Sequence, residues 1–140
     1  MTLELVPLCV VREKPTDVVE LGRSLAGSRR VMVRIEEVAW EGPRLKAQLC
    51  PGTVAADWKM VGGDGAEKIN VHITLKTHDG ALIQVRIAGR HDTRVQRSPI
   101  YITPVFETTD PRYAWLNAVQ AVGKGRTEGG VNVYEIFELR

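Results

Sequence analysis

The sequence is poor in cysteine and in aromatic residues, and it contains no long run of apolar residues. Its two cysteines, Cys9 and Cys50, each lie among aliphatic neighbours. Isolated cysteines of this kind behave as small hydrophobes, so we expect neither a disulfide framework nor a C-x-x-C metal or redox site. No apolar run reaches the length of a membrane span, and Glu4 interrupts the first one, so we expect no membrane partner and no signal peptide. These absences predict a cytoplasmic protein.

The chain also lacks a strong excess of charge of either sign. Its formal net charge is +2, with acidic and basic residues interspersed. The densest basic cluster runs from Arg86 to Arg97 and is interrupted by His91 and Asp92, which is typical of a hydrated surface. We therefore predict no nucleic-acid partner. A length of 140 residues with 44% hydrophobic residues predicts one folded domain over residues 1–140.

What the sequence does contain is alternation with a period of two residues, which is typical of strands with one buried face. Val31, Val33 and Ile35 alternate with charged or flexible side chains, and the same pattern recurs at 69–75, 83–87 and 131–137. Further apolar segments predict strands at 3–11, 45–49, 100–106 and 118–122. Glycine- and proline-rich turn signals separate these segments. The sequence therefore predicts an all-β fold, a single antiparallel β-barrel of about eight or more strands with a lipocalin-like appearance.

One hairpin can be predicted residue by residue. A two-residue Asp79-Gly80 loop would mix apolar and polar side chains on each face, whereas a three-residue loop, 78–80, pairs Leu75 with Ile83 and keeps the faces separate. Separation of faces is what fixes the register of a sheet, so we expect the second register, with Gly80 in a left-handed conformation. It aligns a polar row along one face, formed by Asn70, His72, Thr74, Gln84 and Arg86.

A single helical turn is expected near 110–117. Asp110 suits an N-cap and Pro111 suits the first helical position. Tyr113 and Trp115 cannot face the same way on so short a helix, so one of them is expected to pack as a plug.

The segment 106–117, which reads FETTDPRYAWLN, resembles the signature of a bacterial and fungal family known as domain of unknown function 3237. Segments 41–45, 56–58, 77–83 and 130–134 also resemble it, so the resemblance covers nearly the whole chain. The resemblance implies one barrel-like β domain, often found as a homo-oligomer, and no established activity or catalytic residues. Some members sit in pathways for aromatic compounds or natural products, which implies a role in secondary metabolism.

The chain also departs from the family pattern. Glu37 and Val38 stand where the family usually has glycines, and Asn70 and His72 stand where it often has an acid and an arginine. The arginine that the family usually carries near Tyr101 is absent. These departures imply a substrate particular to this member.

Three residues are candidates for catalysis. Two of them, His72 and Tyr101, lie in the interior only if the polar row faces the lumen, which barrel geometry and the family resemblance favour over a row that faces water. His72 carries an imidazole that changes charge near neutral pH, or is simply an exposed strand residue. Asp57, next to Trp58, would have a raised pKa if desolvated, or is simply a turn aspartate. Tyr101 could donate to a developing oxyanion, or belong to an aromatic cross-strand pair.

Further residues are candidates for substrate binding. Arg44 could anchor a carboxylate or phenolate, or form an ion pair with a neighbouring strand. Trp115 and Asn117 could line the mouth of the barrel or merely close its end. The remaining candidates are expected to contribute charge or apolar walls to the interior: Trp58, Arg86, Glu107 and Tyr134.

Several catalytic signatures are absent, which narrows the function. The chain has no G-x-S-x-G elbow and no P-loop, and its three histidines show no metal-ligand spacing. We therefore predict no metal and no cofactor. The sequence favours a cofactor-independent isomerase, cyclase or lyase that performs acid–base chemistry on a carbonyl-bearing or phenolic small molecule. There are two alternatives. One is a non-catalytic binding protein, and the other is an assembly module that uses the strand at 3–11, which is apolar on both faces.

Overall fold

A computed structural model describes all residues 1–140 as nine strands and one 3-10 turn. The 3-10 turn, η1, spans Ala114–Ala118. The strands are β1 (Leu5–Arg23), β2 (Arg29–Glu41), β3 (Lys46–Leu49), β4 (Ala55–Val61), β5 (Ala66–Thr77), β6 (Leu82–Asp92), β7 (Ile100–Glu107), β8 (Ala121–Glu128) and β9 (Val131–Leu139). The five-residue turn is the only helix, and no helix is long and apolar enough to cross a bilayer.

The strands close into a ring. β1 pairs with β9 on one side and with β2 on the other, and every pairing is antiparallel. The short strands β3 and β4 follow one another in the position between β2 and β5, which makes a ring of eight antiparallel strands. The predicted all-β, barrel-like fold is therefore confirmed.

The hairpin predicted at 78–80 is confirmed in register. Leu75 pairs with Ile83 and His72 pairs with Arg86 across β5 and β6. Gly80 has φ of +92°, a left-handed conformation that L-residues with a side chain adopt only with strain. The separation of apolar from polar faces was thus enough to set the register.

Other strand boundaries differ from the predictions. β1 continues to Arg23, far beyond the predicted 3–11, and Ala118 belongs to the 3-10 turn rather than to a strand. β4, which contains Asp57 and Trp58, was not predicted as a strand at all. Its inward positions carry Asp57 and its outward positions carry Trp58, so the polarity of its faces is the reverse of the usual pattern.

The ring packs aliphatic side chains inside and leaves the polar row outside. On β5 and β6 the buried residues are Ile69, Val71, Ile73, Leu75, Ile83, Val85 and Ile87. The polar row occupies the alternate positions and faces outward, so the interpretation that it lines the lumen is wrong. The reason is that each strand can bury only one of its two faces in the ring, and burying the aliphatic face gives the larger gain in free energy.

The signature segment closes one end of the ring. Asn117 accepts the backbone N–H of Thr108 at 2.9 Å and donates to the Thr108 carbonyl at 3.0 Å. Leu116 is fully buried, and the Tyr113 hydroxyl donates to Asp79 at 2.8 Å. Tyr113 is thus the buried plug, and at this end the interior is filled by side chains such as Trp40, whose ring meets Phe106 edge-on.

Candidate active site

The opposite end of the ring contains an internal cavity of about 300 Å³. Four hairpin turns, 24–28, 62–65, 93–99 and 129–130, surround its mouth, because the antiparallel strands turn back at that end. Aliphatic residues of β2, β5, β6 and β7 form most of its apolar wall. The polar lining residues are Glu13, Asp57, Lys59, Glu67, His91, Thr127, Asn132 and Tyr134.

The charged lining residues reach the cavity because they continue the inward-facing period of their strands. Glu13 follows Cys9 and Val11 on β1, and Glu67 precedes Ile69 on β5. Asp57 lies two residues after the buried Ala55. A side chain that keeps this phase must point inward whatever its polarity. The strands therefore place carboxylates in an otherwise apolar interior.

Glu13 is the most unusual of these groups. Its side chain is 4% exposed, and its Oε1 atom has no hydrogen-bond partner. Burial and, to a smaller extent, the nearby Asp57 carboxylate raise the pKa of Glu13 to about 7, against the opposing effect of Lys59. A buried carboxyl group without a partner is costly, and such groups are concentrated at functional sites.

Asp57 is buried beside Glu13 but in a different environment. Its Oδ1 atom accepts the backbone N–H of Asn70 at 3.0 Å, and its Oδ2 atom lies 3.9 Å from the Lys59 ammonium. Burial raises the pKa of Asp57, while the Asn70 N–H and Lys59 act in the opposite direction. The two neighbouring carboxyl groups therefore have different environments, since only Asp57 accepts a hydrogen bond, which favours its ionised form.

Lys59, Glu67 and His91 form a network along the same wall. The Lys59 ammonium donates to Glu67 Oε1 at 3.2 Å, and His91 Nδ1 lies 3.7 Å from that same oxygen. Lys59 thus contacts two carboxylates, those of Asp57 and Glu67.

Tyr134 and the pair Thr127–Asn132 complete the polar lining. Tyr134 is 4% exposed, and burial raises its pKa, reinforced by Glu13, Asp57 and Glu67, so its phenol stays protonated. The Thr127 hydroxyl donates to Asn132 Oδ1 at 2.7 Å. These groups place neutral hydrogen-bonding atoms beside the carboxyl groups.

Of the residues singled out in the sequence, only Asp57 and Tyr134 lie in this cavity. Trp58 and Tyr101 are about half exposed on the outer surface. Four others, His72, Arg86, Glu107 and Asn117, line a separate groove on the outer face of the ring. The catalytic role predicted for His72 and Tyr101 depended on an inward orientation that the register of β5, β6 and β7 does not give.

Arg44 and Trp115 lie at the closed end, away from the cavity. The Arg44 guanidinium donates to Glu138 Oε2 at 2.7 Å and lies 4.6 Å above the Trp115 ring. Arg44 therefore takes the ion-pair alternative rather than the position of an anchor in the cavity, and Trp115 and Asn117 take the alternative of closing the barrel.

The sequence-based prediction does not include six of the eight polar lining residues: Glu13, Lys59, Glu67, His91, Thr127 and Asn132. The signal was present, because Glu67 and His91 occupy inward positions of two strands whose other inward residues are apolar or glycine, apart from Thr77 at the far end of β5. His91 belongs to β6 and lies directly opposite Glu67. No group of three or more His, Cys, Asp or Glu side chains is arranged to hold a metal ion.

The fold and the cavity define a small β-barrel-like protein with buried acid–base groups at one end. A family model described as protein of unknown function (DUF3237) matches residues 2–139, and the chain belongs to that family. The structure is similar to a crystal structure of a β-barrel-like protein from Acinetobacter baumannii, with 28% identity, a TM-score of 0.89, and coverage of 100% of this chain and 98% of that one.

Two similar proteins come from Penicillium herquei. One, a hydroalkoxylation enzyme named phnH, is 29% identical over 98 residues, which cover 70% of this chain and 58% of that protein. The chain thus matches less than two thirds of that relative's length. The other is a crystal structure described as an enzyme, with 21% identity, a TM-score of 0.78, and coverage of 99% of this chain and 94% of that one.

Proposed function

We propose that this protein is a cofactor-independent enzyme that performs acid–base chemistry on a carbonyl-bearing or phenolic small molecule inside the cavity. The observation that carries the proposal is the buried carboxyl group of Glu13, a residue that lines the cavity and whose Oε1 atom has no hydrogen-bond partner. The cavity lies at the lower end of the size range of small-molecule sites. The name of the phnH relative, a hydroalkoxylation enzyme, favours the cyclase among the reaction classes considered.

The two carboxyl groups fit the two roles that such chemistry needs. Glu13 has a pKa of about 7 and so carries a proton in a large share of molecules near neutral pH, which suits a general acid. Asp57 accepts the Asn70 N–H and lies near Lys59, both of which favour its ionised form, which suits a general base. Neighbouring carboxyl groups in unlike environments commonly divide acid and base roles in this way.

A hydroalkoxylation step can be written with these two groups. Glu13 donates its proton to one carbon of an alkene, and the phenol oxygen of the same substrate forms a bond to the other carbon. The phenol proton passes to Asp57, and transfer from Asp57 to Glu13 restores the starting state. Substrate and product are isomers, so the step balances without a co-reactant.

The test measures the conversion of an ortho-prenylphenol to the isomeric dimethylchroman, with substrate and product separated and quantified by chromatography. Protonation of a prenyl alkene gives a tertiary cation, which makes this probe suited to a general acid. Glu13→Gln is expected to lower the rate about 10²–10⁴-fold, the usual contribution of general acid–base catalysis. Glu107→Gln, the same change on the outer face, is the matched control and is expected to leave the rate unchanged.

Retention of turnover by Glu13→Gln, or its loss in the Glu107→Gln control, would contradict the assignment. No acceleration with any alkenylphenol would contradict the cyclase class.

The non-catalytic binding protein remains a second candidate, because the cavity has an apolar wall of nine hydrophobic residues. Its expected behaviour is ligand binding without turnover and without dependence on Glu13. An assembly module would need no ligand-sized cavity, so the cavity of about 300 Å³ favours the two small-molecule candidates over that alternative. A homo-oligomer contact through the exposed Leu5 and Val10 of β1 stays a prediction.

A further inference from the structure

Acidic side chains outnumber basic ones in the lining of the cavity. Three buried carboxyl groups, those of Glu13, Asp57 and Glu67, line it together with one ammonium group, that of Lys59. No arginine is among the lining residues, and His91 is the one further basic group. The cavity therefore has more anionic than cationic groups in a region of low polarity, where charge acts strongly.

The single lysine is already occupied. Lys59 donates to Glu67 at 3.2 Å and lies 3.9 Å from Asp57, so its charge is shared between two carboxylates of the wall. An anionic ligand would have to displace one of these contacts and leave a buried carboxylate without its cation, which is strongly unfavourable. Lys59 thus offers an incoming anion no free positive charge.

Glu13 supplies the independent feature that points to a ligand. Its side chain is more than nine-tenths buried and lines the cavity, and its Oε1 atom has no partner within the protein. Buried carboxyl oxygens normally have a hydrogen-bond partner, so a ligand group that donates a hydrogen bond to the Glu13 carboxyl group would offset the cost of burying it.

We propose that the cavity recognises its ligand through a hydrogen bond that the ligand donates to the Glu13 carboxyl group, and that it selects ligands by their charge. Organic ammonium ions and uncharged hydroxyl compounds bind, whereas carboxylates and phenolates are excluded. The inference rests on the proposed function in placing the reacting molecule in this cavity, and it adds that a phenolic substrate enters un-ionised. It also reverses the expectation of an anionic ligand group held by an arginine.

The experiment compares three probes of similar size that differ in charge: the benzylammonium ion, benzyl alcohol and benzoate. Binding to the full chain at neutral pH is followed by NMR titration, read at the Asn70 amide because its N–H donates to Asp57 at the cavity wall. We expect the ammonium ion to bind about tenfold more tightly than the alcohol, as charged hydrogen bonds do, and benzoate to cause no shift. Benzoate binding as tightly as the alcohol would overturn the inference.

Variants of Glu13 connect the selectivity to that residue. Glu13→Gln is expected to abolish the preference for ammonium over alcohol, whereas Glu13→Asp keeps a carboxyl group and is expected to keep the order. Glu107→Gln, on the outer face, is the matched control and should bind as the wild type does. A preference that survives in Glu13→Gln, with the circular dichroism spectrum unchanged, would overturn the role of Glu13.

If Glu13→Gln does not fold, a pH series on the wild type tests whether the preference for ammonium depends on Glu13. The groups facing Glu13 are Asp57 and Lys59 from β4, Glu67 from β5, His91 from β6, and Tyr134 from β9. The preference for ammonium should grow between pH 6 and 8, as roughly expected for a carboxyl group that ionises near neutrality, and His91→Gln should keep that growth. A preference that does not change with pH would contradict the proposal.

The two proposals fail separately because binding is measured without turnover. A protein that binds the probes in the expected order but converts no alkenylphenol contradicts the proposed function alone. A protein that converts alkenylphenols but binds benzoate as tightly as benzyl alcohol contradicts the charge selection alone.

Discussion

Glu67 and His91 stand directly opposite each other on β5 and β6, with His91 Nδ1 3.7 Å from Glu67 Oε1. Both face inward, in phase with the aliphatic residues of their strands. The pair shows how this ring builds a polar site, because a charged residue placed in the inward period is carried into the interior by the pleat of the strand.

The stability of the protein should fall as the pH rises through the range in which Glu13 ionises. Its pKa in the folded state, about 7, is above the ordinary value of 4.5, so the folded state binds the proton more tightly than the unfolded state does. The stabilisation is complete below about pH 4.5 and is lost as the pH rises through 7; the loss is about 3 kcal/mol in unfolding free energy. Urea unfolding of the wild type and of Glu13→Gln at pH 5 and at pH 8 measures it. Equal pH dependence in the two proteins would show that Glu13 is not the group responsible.

Removal of the Lys59 ammonium should destabilise the fold. Lys59→Met leaves Asp57 and Glu67 without their shared cation, at an expected cost of about 1–3 kcal/mol, less than for a fully buried pair because Lys59 is partly exposed. It should also raise the pKa of Asp57, since Lys59 lowers it.

A second substitution separates charge from packing at this site. Glu67→Gln removes one of the two carboxylates, so the double variant Lys59→Met with Glu67→Gln should be less destabilised than the sum of the single changes. The measurement is a double-mutant cycle of urea unfolding. Strict additivity would show that Lys59 and Glu67 do not interact through their charges.

Asn117 should contribute to stability rather than to catalysis. Asn117→Ala removes both hydrogen bonds to the Thr108 backbone and leaves those groups without partners, at an expected cost of about 1–3 kcal/mol. The rate of ortho-prenylphenol cyclisation per folded molecule should not change, because Asn117 lies outside the cavity. A loss of rate without a loss of stability would place the reaction at the outer groove instead.

The fold was largely predictable from the sequence because alternation carries it. The 78–80 hairpin could be aligned residue by residue, since only one register separates Ile73 and Leu75 from their polar neighbours. β4 was missed because Asp57 and Lys59 hold positions at which the pattern expects apolar residues. A strand that contributes polar groups to an interior site is the kind that alternation detects least well.

The site was harder to predict because the polarity of a strand face does not show whether that face points into the ring or toward water. The polar row on β5 and β6 was predicted to line the lumen. A polar face opposite an aliphatic one is, however, the face that contacts water. Asp57 was identified through its neighbour Trp58, although that indole faces outward. A better signal was the position of each residue in the alternation of its strand. Glu67 and His91 occupy inward positions at the ends of β5 and β6, where the pattern of the strand would place an apolar residue.

The most direct test of this account is the ionisation of Glu13 itself. Isotope-edited NMR of the glutamate side-chain carboxyl carbons, recorded across a pH series, resolves that group by its absence in Glu13→Gln. The account predicts a titration midpoint of about 7, which burial and the Asp57 carboxylate produce together. A midpoint near the ordinary value of 4.5 would mean that the group is hydrated and ionised at neutral pH, and it would contradict the role of Glu13 as the general acid.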